Sequence, residues 1–382
     1  MTIYLDNAAT SFPKPPEVIQ AVTNVLRRVG GNPGRGGLPA AGDLILFEAR
    51  EKIAEFFKIP NSSRLIFTPN GTTGLNIALN GILKNGDHVI TSSVEHNAVM
   101  RPLWKGEKKG RVTFSKVKCS SDGTCPLDSF EKEIRPETKM IGITHASNVS
   151  GAILPLEKIG EIARKRGLLF LVDAAQTAGH LPIDVQKCSI DVLACTGHKA
   201  LLGPQGTGFL YIREGIVTDT LIEGGTGSDS ERDEMPEFFP DRHEAGTLNT
   251  PGISGLFAAI KFISGQGIEI IRKKELSLLA ELIEGLRRNP KVILYGPKEL
   301  SDRVSLVSFN IKGMDPALIG TSLLEKYKIK VRVGLHCSPE GHKTLGTFPE
   351  GTVRASVGYF TSSDDVRCLV DAVNEISGVF RV

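Results

Sequence analysis

The chain has 382 residues, 40% of them hydrophobic, which is enough to bury one large core and a second, smaller one. Its 46 basic and 43 acidic side chains leave a formal charge of +3, and neither sign forms a long block, so neither nucleic acid nor a membrane surface is expected as a partner. The longest basic stretch, Lys105 to Arg111, is interrupted by Glu107, lacks interleaved aromatics and reads as a solvated turn.

The N-terminus lacks the basic start and apolar run of an export signal, and no window approaches about 18 consecutive apolar residues; a cytoplasmic protein is expected. The cysteines at 119, 125, 188, 195, 337 and 368 show no metal-ligand spacing and are expected to be mostly free thiols.

Along the chain, Ile3-Tyr4-Leu5 reads as a short strand. A helix from Pro15 to Val29 is expected to turn Val18, Val22, Val25, Leu26 and Val29 inward. A second, beginning near Asp43, would bury Leu46, Phe47, Ile53, Ala54 and Phe57, and the glycine-rich segment Gly30 to Gly37 between them must be a loop. From Arg64 onward, short apolar runs each end in a polar motif. Leu65 to Phe67 leads to Asn70-Gly-Thr-Thr73, and Val89-Ile90 leads to Ser92-Ser-Val-Glu-His96. Met140 to Ile143 leads to the segment ending at Asn148, Leu168 to Val172 leads to Asp173, and Ile190 to Ala194 leads to Cys195-Thr-Gly-His-Lys199; Gly208 to Ile212 is one more strand.

Such runs alternating with helices predict an α/β fold with a mostly parallel central sheet flanked by helices. In that architecture ligands sit beyond the carboxyl ends of the strands, where these motifs fall. Gly224 to Glu244 reads as a loop. Helices beyond Gly252, strands at Val304 to Phe309 and Lys330 to Val333, and a last helix from Ser363 to Ile376 suggest a smaller α+β C-terminal domain.

Asp173 can hold a protonated ring nitrogen, and Lys199 can form a Schiff base; alternatively the two are an ion pair at a sheet edge. Gly71, Thr72 and Thr73 form either a phosphate cradle or an ordinary helix cap, and Thr196 and His198 add donors from a second strand end. His96 is either a lid over a cofactor ring or a capping or core histidine. Gln176 can donate to a phenolic oxygen.

These residues lie in strings that together resemble the cysteine desulfurases and selenocysteine lyases, class-V aminotransferase-type proteins of the pyridoxal-phosphate-dependent transferase fold type I. The resemblance rests on Tyr4-Leu-Asp-Asn-Ala-Ala-Thr10, Gly71-Thr-Thr73, Glu95-His-Asn97, Asn148-Val-Ser-Gly151, Val172-Asp-Ala-Ala-Gln176, Thr196-Gly-His-Lys-Ala-Leu-Leu-Gly-Pro204, Arg332-Val-Gly-Leu-His-Cys337 and Thr352-Val-Arg-Ala-Ser356. It implies a large cofactor-binding domain over residues 13–252 and a small domain over 253–382, joined by residues 1–12.

The resemblance further implies pyridoxal 5'-phosphate bound as a Schiff base on Lys199, its ring nitrogen paired with Asp173 and its face covered by His96. Thr72, Thr196 and His198 would hold the phosphate, and Asn148 and Arg354 the substrate carboxylate. Thr247 would reach the phosphate of a neighbouring subunit, which implies a homodimer. Cys337 would take sulfur from L-cysteine as a persulfide, leaving alanine, for transfer to a sulfur-acceptor protein. The chain departs from the better-known desulfurases just after this thiol, where it reads Ser338-Pro-Glu-Gly-His342. Alternatives are action on L-selenocysteine, an aminotransferase or sulfur lyase without persulfide transfer, and a catalytically inactive scaffold.

Overall fold

The computed structural model describes residues 2–29 and 41–378, so the glycine-rich segment 30–37 lies outside the described residues. The first part of the chain runs β1 (Ile3–Tyr4), α1 (Pro16–Arg28), α2 (Ala41–Phe57), β2 (Leu65–Thr68), α3 (Gly71–Ile82), β3 (His88–Ser92), α4 (Asn97–Lys108), β4 (Thr113–Val117) and α5 (Leu127–Lys132). It continues through β5 (Thr138–Thr144), α6 (Leu156–Lys165), β6 (Leu169–Asp173), β7 (Val192–Thr196) and β8 (Gly208–Ile212). The remainder is α7 (Thr250–Gln266), α8 (Ile268–Arg287), β9 (Val292–Tyr295), β10 (Leu306–Ile311), α9 (Pro316–Glu325), β11 (Ile329–Lys330), β12 (Arg332–Gly334), α10 (Pro339–Leu345), β13 (Thr352–Ser356) and α11 (Ser363–Ile376).

A seven-stranded sheet in the order β2-β8-β7-β6-β5-β3-β4 forms the centre, with β8 antiparallel to both its neighbours and the other pairs parallel. Helices on both faces explain why β2, β3, β7 and β8 are buried at every position and why β2, β7 and β8 read as mostly apolar runs without alternation. The polar edge strand β4, which escapes an apolar-run reading, mixes exposed and buried residues. Gly208 brings β8 against the loop entering α3: a Cβ there would sit 2.7 Å from the Cys195 carbonyl oxygen and 3.0 Å from the Asn70 carbonyl carbon.

A second sheet, β12-β13-β10-β9, is antiparallel, and β1 pairs in parallel with β11. The N-terminal strand therefore joins the smaller core, in which Leu5 is fully buried. Lys330 to Val333 is two strands and not one: β11 ends at Lys330, β12 begins at Arg332, and each pairs in a different sheet. The expected boundary at residue 253 cuts through α7, whose Ile253, Leu256, Ile260 and Ile263 belong to the large core. The change of core falls within α8, between Ile271 and Leu278.

Two expectations need correction. Leu26 and Phe47 are exposed, at 71% and 60%, because the inward stripes are narrower than the apolar content of α1 and α2. Cys119 and Cys125 form a disulfide: the turn between them, closed by Ser120 N–H to Thr124 O and Gly123 N–H to Ser120 O, brings their Cα atoms to 4.2 Å. Cys188 and Cys195 remain as buried thiols, and Cys337 and Cys368 as exposed ones.

Candidate active site

A cavity of about 100 Å³ lies beyond the carboxyl ends of the central strands, lined by Gly71, Thr72, His96, Asn148, Asp173, Gln176, Thr196, His198 and Lys199. Residues from five polar motifs thus converge at the place the parallel topology predicts. Asp173 ends β6 and is 3% exposed. Its Oδ1 accepts the Ala175 N–H at 2.9 Å, and Oδ2 has no donor among the described residues. Burial pushes its carboxyl up and the Lys199 ammonium draws it down. Burial lowers Lys199 to about 8, against the pull of Asp173.

At the other end of the cavity, the Asn70 side chain caps α3 by accepting the Thr73 N–H at 2.9 Å and the Thr73 hydroxyl at 3.1 Å. Thr73 is therefore part of the cap and does not line the cavity. Thr72 does, together with Thr196 Oγ1 and His198 Nδ1, two buried polar atoms that have no partner among the described residues. Burial, with Lys199 and Lys14 nearby, holds His198 down at about 4. These unpaired groups beside the first turn of a helix fit a phosphate. Asp173 with Lys199 fits a pyridine ring carrying an aldehyde, so the cavity suits pyridoxal phosphate.

His96 is a capping residue that also lines the cavity. Its Nδ1 accepts the Ala98 N–H at 3.0 Å, capping α4, and the ring also lines the cavity. Burial, reinforced by Lys199, drives it down to about 3, so the ring is neutral and Nδ1 stays an acceptor. Gln176 lines the cavity while donating to the Ala8 carbonyl at 3.2 Å.

Arg354 is not among the lining residues. It is 2% exposed, with Nη1 donating to the Asn148 carbonyl at 2.9 Å, Nη2 to Asp6 at 3.2 Å, and Nε without a partner among the described residues. Asn148 in turn donates its amide to the His336 carbonyl at 2.7 Å, so it reaches the loop of Cys337. That loop is also held by Asn97 N–H to Cys337 O at 2.9 Å and by Ser338 Oγ–H to Glu95 O at 2.7 Å. His336 and Cys337 both have positive φ, 47° and 60°, a conformation that costs free energy for non-glycine residues. Cys337 lines a second cavity of about 290 Å³ that shares Thr72, His96 and Ala98 with the first.

Thr247 lies away from both cavities. Glu244, three residues before it, pairs with Arg50 at 2.9 Å and accepts the Phe67 N–H at 2.6 Å, which leaves Thr247 exposed beside α2.

Three residues near the site escape the sequence reading. Asp6 pairs with Arg354 across 348 positions. Arg332 faces Arg354 in the β12–β13 register. Glu95, fully buried, accepts the Thr144 N–H at 2.9 and 3.0 Å and the Ser92 hydroxyl. Membership of the family-like strings Tyr4 to Thr10, Arg332 to Cys337 and Glu95 to Asn97 is the one signal that the sequence carries for them.

The Aminotransferase class-V family pattern matches residues 3–369. A protein described as a probable cysteine desulfurase from Methanothermobacter thermautotrophicus is 35% identical over 99% of this chain and 95% of its own length. A cysteine desulfurase from Escherichia coli is 32% identical over 98% of this chain and 93% of its own. The solved structure of a cysteine desulfurase from Thermococcus onnurineus superposes with a TM-score of 0.91 at 32% identity, covering 99% of this chain and 95% of that one. The chain therefore belongs to the class-V aminotransferase family, among its cysteine desulfurase-type members.

Proposed function

We propose that the chain is a cysteine desulfurase that takes sulfur from L-cysteine, releases L-alanine and carries the sulfur as a persulfide on Cys337. The observation that carries this reading is the placement of Cys337: an exposed thiol on a loop pinned at three points, in a cavity contiguous with that of Lys199.

Bound pyridoxal phosphate would supply an electron sink for the substrate's α-carbon, held by Asp173, His96, Gln176, Thr72, Thr196 and His198. Lys199 Nζ, lowered to about 8 by burial, takes the α-proton. Asn148 and Arg354 orient the substrate carboxylate, and Arg354 is kept in place by Asp6. The thiolate of Cys337 attacks the substrate sulfur. The S–S bond forms as the C–S bond breaks, and the C–S electron pair stays with the three-carbon fragment, whose Cβ gains the proton given up by the Cys337 thiol and whose Cα regains the proton held on Lys199 Nζ before it leaves as alanine. A sulfur acceptor then regenerates the thiol. Thr247, outside the cavity of its own chain, is read as reaching the phosphate site of a second copy in a homodimer.

The test is to incubate the holoprotein with L-cysteine and without reductant, and to assay alanine and the masses of its cysteine peptides, with L-selenocysteine in parallel. Alanine should appear while the Cys337 peptide gains the mass of one sulfur. Alanine without that gain would overturn persulfide transfer, and release of alanine from L-selenocysteine alone would make the chain a selenocysteine lyase.

A further inference from the structure

The cavity at Cys337 carries a charge pattern that the first half of the reaction does not use. α4 starts at Asn97, whose N–H holds the Cys337 carbonyl, and one and two turns further along the same face come Arg101 and Lys105. Both line the cavity with the thiol, and among the described residues no aspartate or glutamate does. Neither side chain has an ion pair or hydrogen bond among the described residues. The nearest contrast is α10 on the other side of the thiol loop, where Lys116 and Lys343 share the carboxylate of Glu340. Two uncompensated cations at the mouth of a cavity attract anions and speed their arrival.

We propose that the sulfur acceptor of this enzyme is a carboxylate-bearing thiol, whose negative charge is received by Arg101 and Lys105 while its sulfur meets Cys337. The inference rests on the desulfurase reading and names the partner of its second half-reaction. A cavity of about 290 Å³ is of the size a small organic thiol fills. The step is redox-neutral. The acceptor thiolate attacks the terminal sulfur of the Cys337 persulfide, a new S–S bond forms on the acceptor, and the old S–S bond breaks with its electron pair returning to Cys337. The proton lost by the acceptor ends on the Cys337 thiol.

The experiment loads the holoenzyme with L-cysteine, removes excess substrate, and measures discharge of the Cys337 persulfide by mass. The acceptors are mercaptosuccinate, 2-mercaptoethanol and cysteamine, with rates corrected for thiolate fraction. Wild type should discharge to mercaptosuccinate about tenfold faster than to cysteamine, and salt should shrink the difference. The double variant Arg101→Gln/Lys105→Gln should lose the preference yet form alanine in a single turnover as wild type does. Lys273→Gln/Lys298→Gln, with the same change in net charge away from the cavity, should keep it. Equal corrected rates for the three thiols in wild type, or a preference that survives in the cavity variant or vanishes in the control, would overturn the proposal. Loss of alanine formation in the cavity variant would also overturn it, by placing the cations in the first half-reaction. If wild type forms alanine but no persulfide, it is the desulfurase reading that fails, and this inference falls with it.

Discussion

The side-chain amide of Asn148 donates to the main-chain carbonyl of His336 at 2.7 Å, joining the loop after β5 to the residue that precedes Cys337. The same Asn148 accepts Arg354 Nη1 through its own carbonyl. One residue therefore connects the buried Arg354 with the thiol loop. Asn148→Ala removes the first bond and leaves the second, which uses the main chain. The loss of one buried hydrogen bond, about 1 kcal/mol, is enough to loosen a loop held at three points. In the absence of substrate, Cys337 should be alkylated by iodoacetamide severalfold faster in Asn148→Ala than in wild type. Equal rates would show that the amide does not hold the loop.

Lys199 should react as an amine whose proton leaves near pH 8. Imine formation needs the neutral amine, so the rate at which the cofactor-free chain takes up pyridoxal phosphate should rise with pH and level off just above about 8, well below an ordinary lysine. The Asp173 carboxylate opposes that lowering, so in Asp173→Asn the midpoint should move further down. Borohydride should fix the cofactor on the peptide containing Lys199. A midpoint near the usual lysine value, or labelling elsewhere, would refute the assignment.

Glu95 gives a stability prediction with a definite sign. Burial raises its carboxyl to about 8 from the ordinary 4.5, with Asp173 adding to the shift. Between those values the folded chain holds a proton that the unfolded chain has lost, so this residue's contribution falls as pH rises from about 4.5 and stops falling above about 8. The whole effect is on the order of a few kcal/mol. Glu95→Gln removes the titration, so the difference in stability between variant and wild type should move in the variant's favour from pH 5 to pH 8. Urea unfolding at the two pH values checks it, and a constant difference would show that Glu95 is ionised when folded.

What is legible in the sequence follows from the sheet. Strands buried on both faces read as apolar runs, and a parallel sheet puts the residues after them at one end, so the order of runs and motifs alone groups Asp173, Lys199, Thr72 and His96. Pairings between distant segments leave no such trace. Nothing local marks Asp6 as the partner of Arg354, and an acid such as Glu95, next to a polar histidine and asparagine, has the pattern of a surface turn. Leu26 and Phe47 mislead for the opposite reason: an apolar residue in a helix reads as core, while these two face outward. Cys119 and Cys125 have no metal-ligand spacing, and it is the closure of the turn between them that brings the two together.

Those exposed apolar side chains on α1 and α2, with Thr247 beside α2, lead to a prediction about assembly. The protein should run as a dimer in light scattering. Thr247→Ala should weaken retention of pyridoxal phosphate about tenfold, the loss expected for one hydrogen bond to a charged group. A monomer that retains the cofactor as wild type does would remove Thr247 from the site.

The last prediction concerns Cys337, which separates a desulfurase from the other readings. Cys337→Ala leaves Lys199, Asp173 and Arg354 untouched, and its thiol is exposed, so no cavity in the core is opened and the fold should persist. The variant should bind pyridoxal phosphate and L-cysteine with the same absorbance changes as wild type, because binding and α-proton removal need only the first cavity. Sulfur then has no nucleophile to receive it. Alanine formed in a single turnover should fall by at least about a hundredfold, the scale expected when a positioned nucleophile is removed. Cys368→Ala, which removes the other exposed thiol, should leave alanine formation unchanged and so controls for any general effect of losing a surface cysteine. Survival of activity toward L-selenocysteine in Cys337→Ala would fit a selenium atom that leaves without thiolate attack, and would locate the role of the thiol in sulfur chemistry alone. Alanine from L-cysteine at the wild-type rate would instead exclude the persulfide route, and the chain would then be a sulfur lyase that carries a thiol beside its active site.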